Sequence, residues 1–237
     1  MSDMIAAVPP AQPAAQEPHA GSLPRRVMGT FFSPVALFSR FGTRPPWWDV
    51  MLVSVILGAI GFALIPLDVW VNTMEEAMRQ RGQEIPAGME PEAMAGVQRI
   101  FGLVFGGIIF PWILLAAVSG VMVLLFSVIL GGSATFRQYI GVVAHASLIG
   151  AVGQLVSLPI IIKTGAMAGI TLGAVAGGMD HDSFIYQFLN AWNVFLVWQV
   201  VVISLGASAL NRRISVGTAV GVGLGIYAAV ALLIAAI

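Results

Sequence analysis

Charge is absent from six long stretches of this chain, and that limits the fold more than any motif does. Between Asp, Glu, Lys and Arg residues lie Val50–Leu67, Ile100–Phe136, Gln138–Ile162, Thr164–Met179, Ser183–Asn211 and Ile214–Ile237, of 18, 37, 25, 16, 29 and 24 residues. A helix needs roughly 20 predominantly apolar residues to cross ~30 Å of hydrocarbon, so most of these are long enough. Only 9% of the 237 residues are charged and 58% are hydrophobic, whereas soluble domains carry about 25% charge. The sequence therefore reads as an all-α, polytopic transmembrane helical bundle. A net charge of zero offers no bulk attraction to nucleic acid, and the lack of cysteine excludes disulfides and thiol catalysis.

The chain divides by composition. Residues 1–29 read as a disordered cytoplasmic tail, with five prolines by Pro24, no apolar period and no secretory signal. Residues 30–46 form an amphipathic interfacial segment. Phe31, Phe32, Leu37, Phe38 and Phe41 recur near one helical turn, with Arg40 and Arg44 close to them; aromatics buried at the headgroups and arginines on anionic lipid suit that pattern. Packing on the bundle ends is the plainer alternative. Residues 47–237 form the membrane domain, with five spans at about 48–67, 103–130, 139–162, 184–210 and 214–237. The Trp47-Trp48 pair anchors the first at the interface. The second is the end of one long helix from about Pro91 to Leu130, started by Glu90-Pro91-Glu92, bent by Pro111 and ended by Gly131-Gly132-Ser133.

Five spans with a cytoplasmic N-terminus put Arg25, Arg26, Arg40, Arg44, Arg137, Arg212 and Arg213 inside, and Arg79, Arg81, Arg99 and Lys163 outside. Seven against four agrees with the positive-inside rule. Letting residues 164–179 cross as well would give five against six. That segment is therefore an external or re-entrant helix. Its glycines, Gly165, Gly169, Gly173 and Gly177, fall every fourth residue on one helix face, where another backbone can come close.

Few side chains in the spans can carry chemistry. His145 is ionisable at membrane depth, and it reads as a neutral histidine hydrogen-bonded to a neighbouring helix, since beyond Asp49 at the edge of the first span no charged residue shares the spans. Asp180-His181-Asp182 resembles a metal cluster, but consecutive residues point different ways on a helix, and capping of the fourth span is the better account. Gln187, Asn190 and Asn193 share a broad face of that span, as interhelical hydrogen-bonding glue or as the wall of a narrow polar path. Gly217, Gly221 and Gly225 form two GxxxG steps on the last span, a packing face within the bundle or between protomers. Nucleotide loops, nucleophile elbows and histidine metal motifs are absent, so no cofactor or catalysis is expected.

Three blocks carry a family likeness. They are Phe32-Ser33-Pro34 with Phe38 and Arg44-Pro45-Pro46-Trp47; Gly131-Gly132-Ser133-Ala134-Thr135-Phe136-Arg137-Gln138 leading to Val142-Val143-Ala144-His145-Ala146-Ser147-Leu148; and Trp198, Gly206, Arg212-Arg213-Ile214-Ser215 and Ala219. In order and spacing they resemble the Yip-domain family of five-span membrane proteins, which includes partners of Rab-type GTPases in eukaryotes and many prokaryotic members. The acidic cytoplasmic sequence of the eukaryotic members is missing, as the tail holds only Asp3 and Glu17. The expected role is a scaffold or membrane-organising protein, multi-pass, and in the cytoplasmic membrane if the chain is bacterial. Its partners would be the lipid bilayer, other membrane proteins or a second copy, and not nucleic acid. A small-solute channel or transporter component using the Gln187–Asn193 face is the alternative.

Overall fold

The computed structural model describes residues 20–236, apart from 84, 86, 87, 89, 166, 168, 176, 177, 181 and 182. Among these residues the regular structure is helical: α1 (Leu23–Phe32), α2 (Pro34–Phe38), α3 (Trp48–Ala63), α4 (Leu67–Gln80), α5 (Pro91–Ile129), α6 (Phe136–Thr164), α7 (Phe184–Asn190), α8 (Val194–Leu210) and α9 (Val216–Ala235). The absence of strands follows from the solvent, because in hydrocarbon a helix satisfies its own backbone while an open sheet edge cannot.

Five of these helices run between two ends of the bundle. At one end, α1 and α2 sit beside the starts of α3 and α6, and the α5–α6 and α8–α9 loops meet through Asn211. At the other, Arg99 of α5 donates to Ala63 O at the end of α3 (2.8 Å), and Tyr227 of α9 donates to Ala191 O between α7 and α8 (2.6 Å). α5, α6 and α9 are long and apolar enough to cross a membrane by themselves; α3 would count as a fourth span with α4, and α8 is a shorter apolar helix. α6 is the central element: fully buried Tyr139, Val142, His145 and Ile149 lie along it.

Local chemistry sets the boundaries. Thr135 and Gln138 form a reciprocal capping box at the start of α6. Pro91 opens α5, as expected, with Glu92 in the first turn. The helix continues through Pro111 without a break. Just before it the turns widen to π geometry, and Phe110 N–H reaches back to Phe105 O, which accommodates a residue with no N–H of its own. Gly131 then stops the run at φ +68°, the left-handed region open to glycine.

Several expectations need correction. The sequence leaves residues up to 29 unpacked, yet α1 begins at Leu23; Arg26, only 3% exposed, is tied to Asp49 of α3. An apolar-period search misses a segment held by an ion pair. Residues 1–19 lie outside the described residues. In the 30–46 segment the helix exists, but Leu37, Phe38 and Phe41 face the bundle, while Met28, Phe32 and Val35 are outside. The first span does not run straight to residue 67: α3 ends at Ala63, and α4 turns away by 82° at Pro66. α4 is amphipathic, with Val69, Trp70 and Met74 buried and Glu76 and Arg79 paired on its outer side. Nor is the fourth span one helix, since residues Ala191–Asn193 separate α7 from α8.

Because α5 separates them, Gly88 and Ser133 lie at opposite ends. Single cysteines at these exposed positions should react with a membrane-impermeant maleimide from opposite sides of a sealed vesicle. Labelling from the same side would contradict a crossing by α5.

Candidate functional site

Two polar constructions organise the end of the bundle next to α1. In the first, the Arg26 guanidinium grips Asp49 with both terminal nitrogens, one Nη1–Oδ1 contact being 3.1 Å, and also donates to Pro46 O and Gly21 O (3.2 Å each). Asp49 in turn accepts Val50 N–H at the start of α3 (2.9 Å), where a carboxylate suits the helix dipole. This fixes α1 across the entry to the membrane domain.

The second centres on Asn211, which is fully buried. Its Oδ1 accepts the N–H groups of Ser133 and Ala134 (2.8 and 2.9 Å), and its Nδ2 donates to Tyr139 Oη (2.9 Å) and Ala207 O (2.8 Å). Ser127 completes the network, donating to Ala134 O (2.7 Å) and lying 3.3 Å from Tyr139 Oη. One amide thus uses its whole hydrogen-bonding capacity to join α5, α6 and α8 at their shared end.

His145 sits one layer deeper, against Phe41 and Phe38 with ring centroids 5.2 and 6.3 Å away. Its Nδ1 lies 2.7 Å from Gly141 O of its own helix, not the neighbouring helix expected, and its buried Nε2 has no partner among the described residues. The amides expected on one helical face are split by the α7–α8 break. Asn193 caps α8, accepting from Phe195 and Leu196 N–H (2.9 and 3.2 Å), while Asn190 accepts the Thr171 hydroxyl (2.9 Å). Gln187 lies on α7. Ser183 is the N-cap of α7, donating to Asp180 O and accepting from Tyr186 N–H; His181 and Asp182 fall outside the described residues.

The glycines at four-residue spacing after Lys163 are not a helical stripe. Gly165 ends α6 at φ +66°, and the chain then extends, pairing Thr171 with Asn193 in an isolated antiparallel bridge. The close approach itself is real: a Cβ on Gly173 would stand 2.9 Å from Asn190 Cα, and one on Gly169 would strike the Asn193 amide. Gly177 lies outside the described residues. On α9, Gly221 and Gly225 have nothing within 4 Å, and Gly217 only Ser215 Oγ at 3.9 Å; it is Gly223 that meets α8, against Ser204 Oγ. Within the chain, therefore, the packed face of α9 is the one carrying Gly223.

These features fall inside one comparison. Residues 28–237 match the model of the Yip1 domain. The chain belongs to the Yip1 domain family. It is 22% identical over 180 residues to membrane protein YknW of Bacillus subtilis (strain 168), a match covering 76% of each chain. No solved structure matches it. This Yip1-domain chain is a multi-pass helical membrane protein, and its likeness blocks include the loop Gly131–Thr135 that Asn211 holds. The part played by the asparagine just before Arg212-Arg213, and the pairing of Arg26 with Asp49, are not evident from the sequence. The signal for Asn211 was its position as the last uncharged residue of a span.

Asn211→Leu should lower stability by at least about 2 kcal/mol, since it leaves the Ser133 and Ala134 N–H groups without their buried acceptor; thermal melting in detergent measures it. Gly223→Leu should lower the melting temperature more than Gly221→Leu, by overpacking worth about 1–3 kcal/mol. The reverse order would place Gly221, not Gly223, in the monomer's core.

Proposed function

We propose that this Yip1-domain protein is a non-catalytic membrane-organising scaffold, crossing the bilayer five times with its N-terminus in the cytoplasm. It would hold other membrane proteins, or a second copy of itself, through helix faces its own fold leaves uncovered. The observation that carries this reading is α9. Little of it is buried, with only Ala219 and Ala231 in the core, and its outer side offers bare backbone at Gly221 and Gly225. In lipid, helices associate by close packing and hydrogen bonds because lipid tails are as apolar as the side chains, so such a surface favours a partner helix. α5 has a similarly open outer side, with Val104, Ile108, Leu124 and Val128 exposed.

The cytoplasmic end adds a membrane-facing element. Met28, Phe32 and Val35 are exposed on α1 and α2, and Arg25 and Arg40 line a hollow with Met28 and Phe32. Apolar side chains flanked by arginines suit the headgroup region of an anionic leaflet. Seven basic residues at that end against four at the other support the orientation.

The cysteine-free chain makes the test direct. A benzophenone coupled to Gly221→Cys and illuminated in native membranes should yield a protein adduct of discrete mass, while one at Gly223→Cys should give only intramolecular products. Lipid adducts alone at position 221 would remove the basis of the scaffold reading.

A further inference from the structure

Between α3, α5, α6 and α8 lies a largely apolar recess, reached by a few polar side chains, that the scaffold reading does not use. One chamber, of about 210 Å³, reaches Ser54, Ser147 and Gln199. A second, of about 260 Å³, extends toward Asn193 at the far end of the bundle, and Phe62, Gly150 and Gln154 line both. Gln154 is ten residues before the end of α6, or ~15 Å along the helix, well inside the hydrocarbon. Toward α1 the recess stops at Val143; beyond it Phe38, Phe41 and His145 are packed without exposure to speak of.

The hydrogen-bonding inventory of this space is specific. The Ser54, Ser147 and Ser157 hydroxyls donate to Val50 O, Val143 O and Gly153 O in their own helices, and the Asn193 carbonyl caps α8. The Gln154 and Gln199 amides have no hydrogen-bond partner among the described residues. Each offers an acceptor and two N–H donors, and in hydrocarbon such groups must be satisfied. Room has been left for them: a Cβ on Gly61 would stand 2.9 Å from Gln154 Cδ, and one on Gly150 would stand 2.7 Å from Gln199 Oε1. Among the described residues, no Asp, Glu, Lys, Arg or His lines either chamber.

We infer that this recess is a hydrated binding site for small uncharged solutes carrying both donors and acceptors, such as amides or polyols, with Gln154 and Gln199 as the recognising pair. A cavity of this size holds several waters. An ion entering it would meet no countercharge, while a neutral solute can exchange hydrogen bonds with water and the two amides. This assignment is independent of the outer face of α9, so it stands or falls separately from the scaffold reading.

Thiol chemistry tests it, because methanethiosulfonates react with a thiolate and a thiolate forms only where water reaches. In proteoliposomes holding the full chain, Ser147→Cys reports on the recess, Val156→Cys on the lipid face and Ser119→Cys on the dry core. Methyl methanethiosulfonate should modify Ser147→Cys roughly tenfold or more faster than its trimethylammonium-ethyl or sulfonato-ethyl analogues, given the penalty on charge at membrane depth. It should also outpace both controls. Adding Gln154→Leu and Gln199→Leu, with folding checked by thermal melting in detergent, should slow that reaction to the level of the controls. Modification of Ser147→Cys no faster than the controls would show a dry cavity and overturn the inference. Equal rates with the charged reagents would overturn it in favour of an ion path, and an unchanged rate in the double-leucine chain would remove the two glutamines from the site.

Discussion

Every polar group that enters hydrocarbon must bring its own partner, and this rule explains most of the molecule. Backbone groups meet it by forming helices. Serines within the spans meet it by donating to the carbonyl four residues back, as Ser54, Ser119, Ser147, Ser157 and Ser204 all do. Larger polar side chains meet it only where several elements converge. Asn211 does so at the junction of three helices, and Arg26 does so by gripping Asp49 and two carbonyls. These junctions, more than apolar burial, determine which helix ends lie together, because apolar side chains gain little by leaving lipid for protein.

The same rule divides the helices into two groups. α6 is wrapped by α3, α5, α8 and the α1–α2 pair, and its glycines and small residues admit large side chains from neighbours, such as Phe195 against Gly153. α5 and α9 lie on the outside, with large apolar side chains such as Phe105, Leu124 and Leu233 exposed. A soluble protein could not keep such a surface in water. In a bilayer it costs nothing until a better-fitting partner arrives.

Much of this was legible in the sequence. The class of fold, the 39-residue helix from Pro91 and the stop at Gly131 follow from charge gaps, proline and glycine, all of which act locally. What could not be read depended on distant residues. The role of Arg26 is set by Asp49, 23 positions away, and that of Asn211 by Ser133, 78 positions away. The α7–α8 break carries no proline or glycine; it exists because Thr171 and its neighbours pair with Asn193. For the same reason the periodic glycines from Gly165 to Gly177 mimic a helix stripe, although Gly169 and Gly173 instead make close approaches to Asn193 and Asn190, and Gly173 opens a short 3-10 turn. Gln154 and Gln199 were invisible as a pair, since nothing in the spacing brings the middle of α6 to the start of α8.

The unequal helix lengths have a consequence for the surrounding lipid. α3 has 16 residues and α8 has 17, so at 1.5 Å per residue they reach only ~24–26 Å, less than the ~30 Å of an average hydrocarbon core. α5, at 39 residues, is far longer than a perpendicular crossing requires. A helix shorter than the hydrocarbon is accommodated by thinning of the bilayer beside it and a longer one by tilt or by projection beyond the surface, each at a fraction of a kcal/mol per ångström. The protein thus presents helices of unequal length to the membrane around it, and mismatch of this kind sorts proteins among membranes of different thickness.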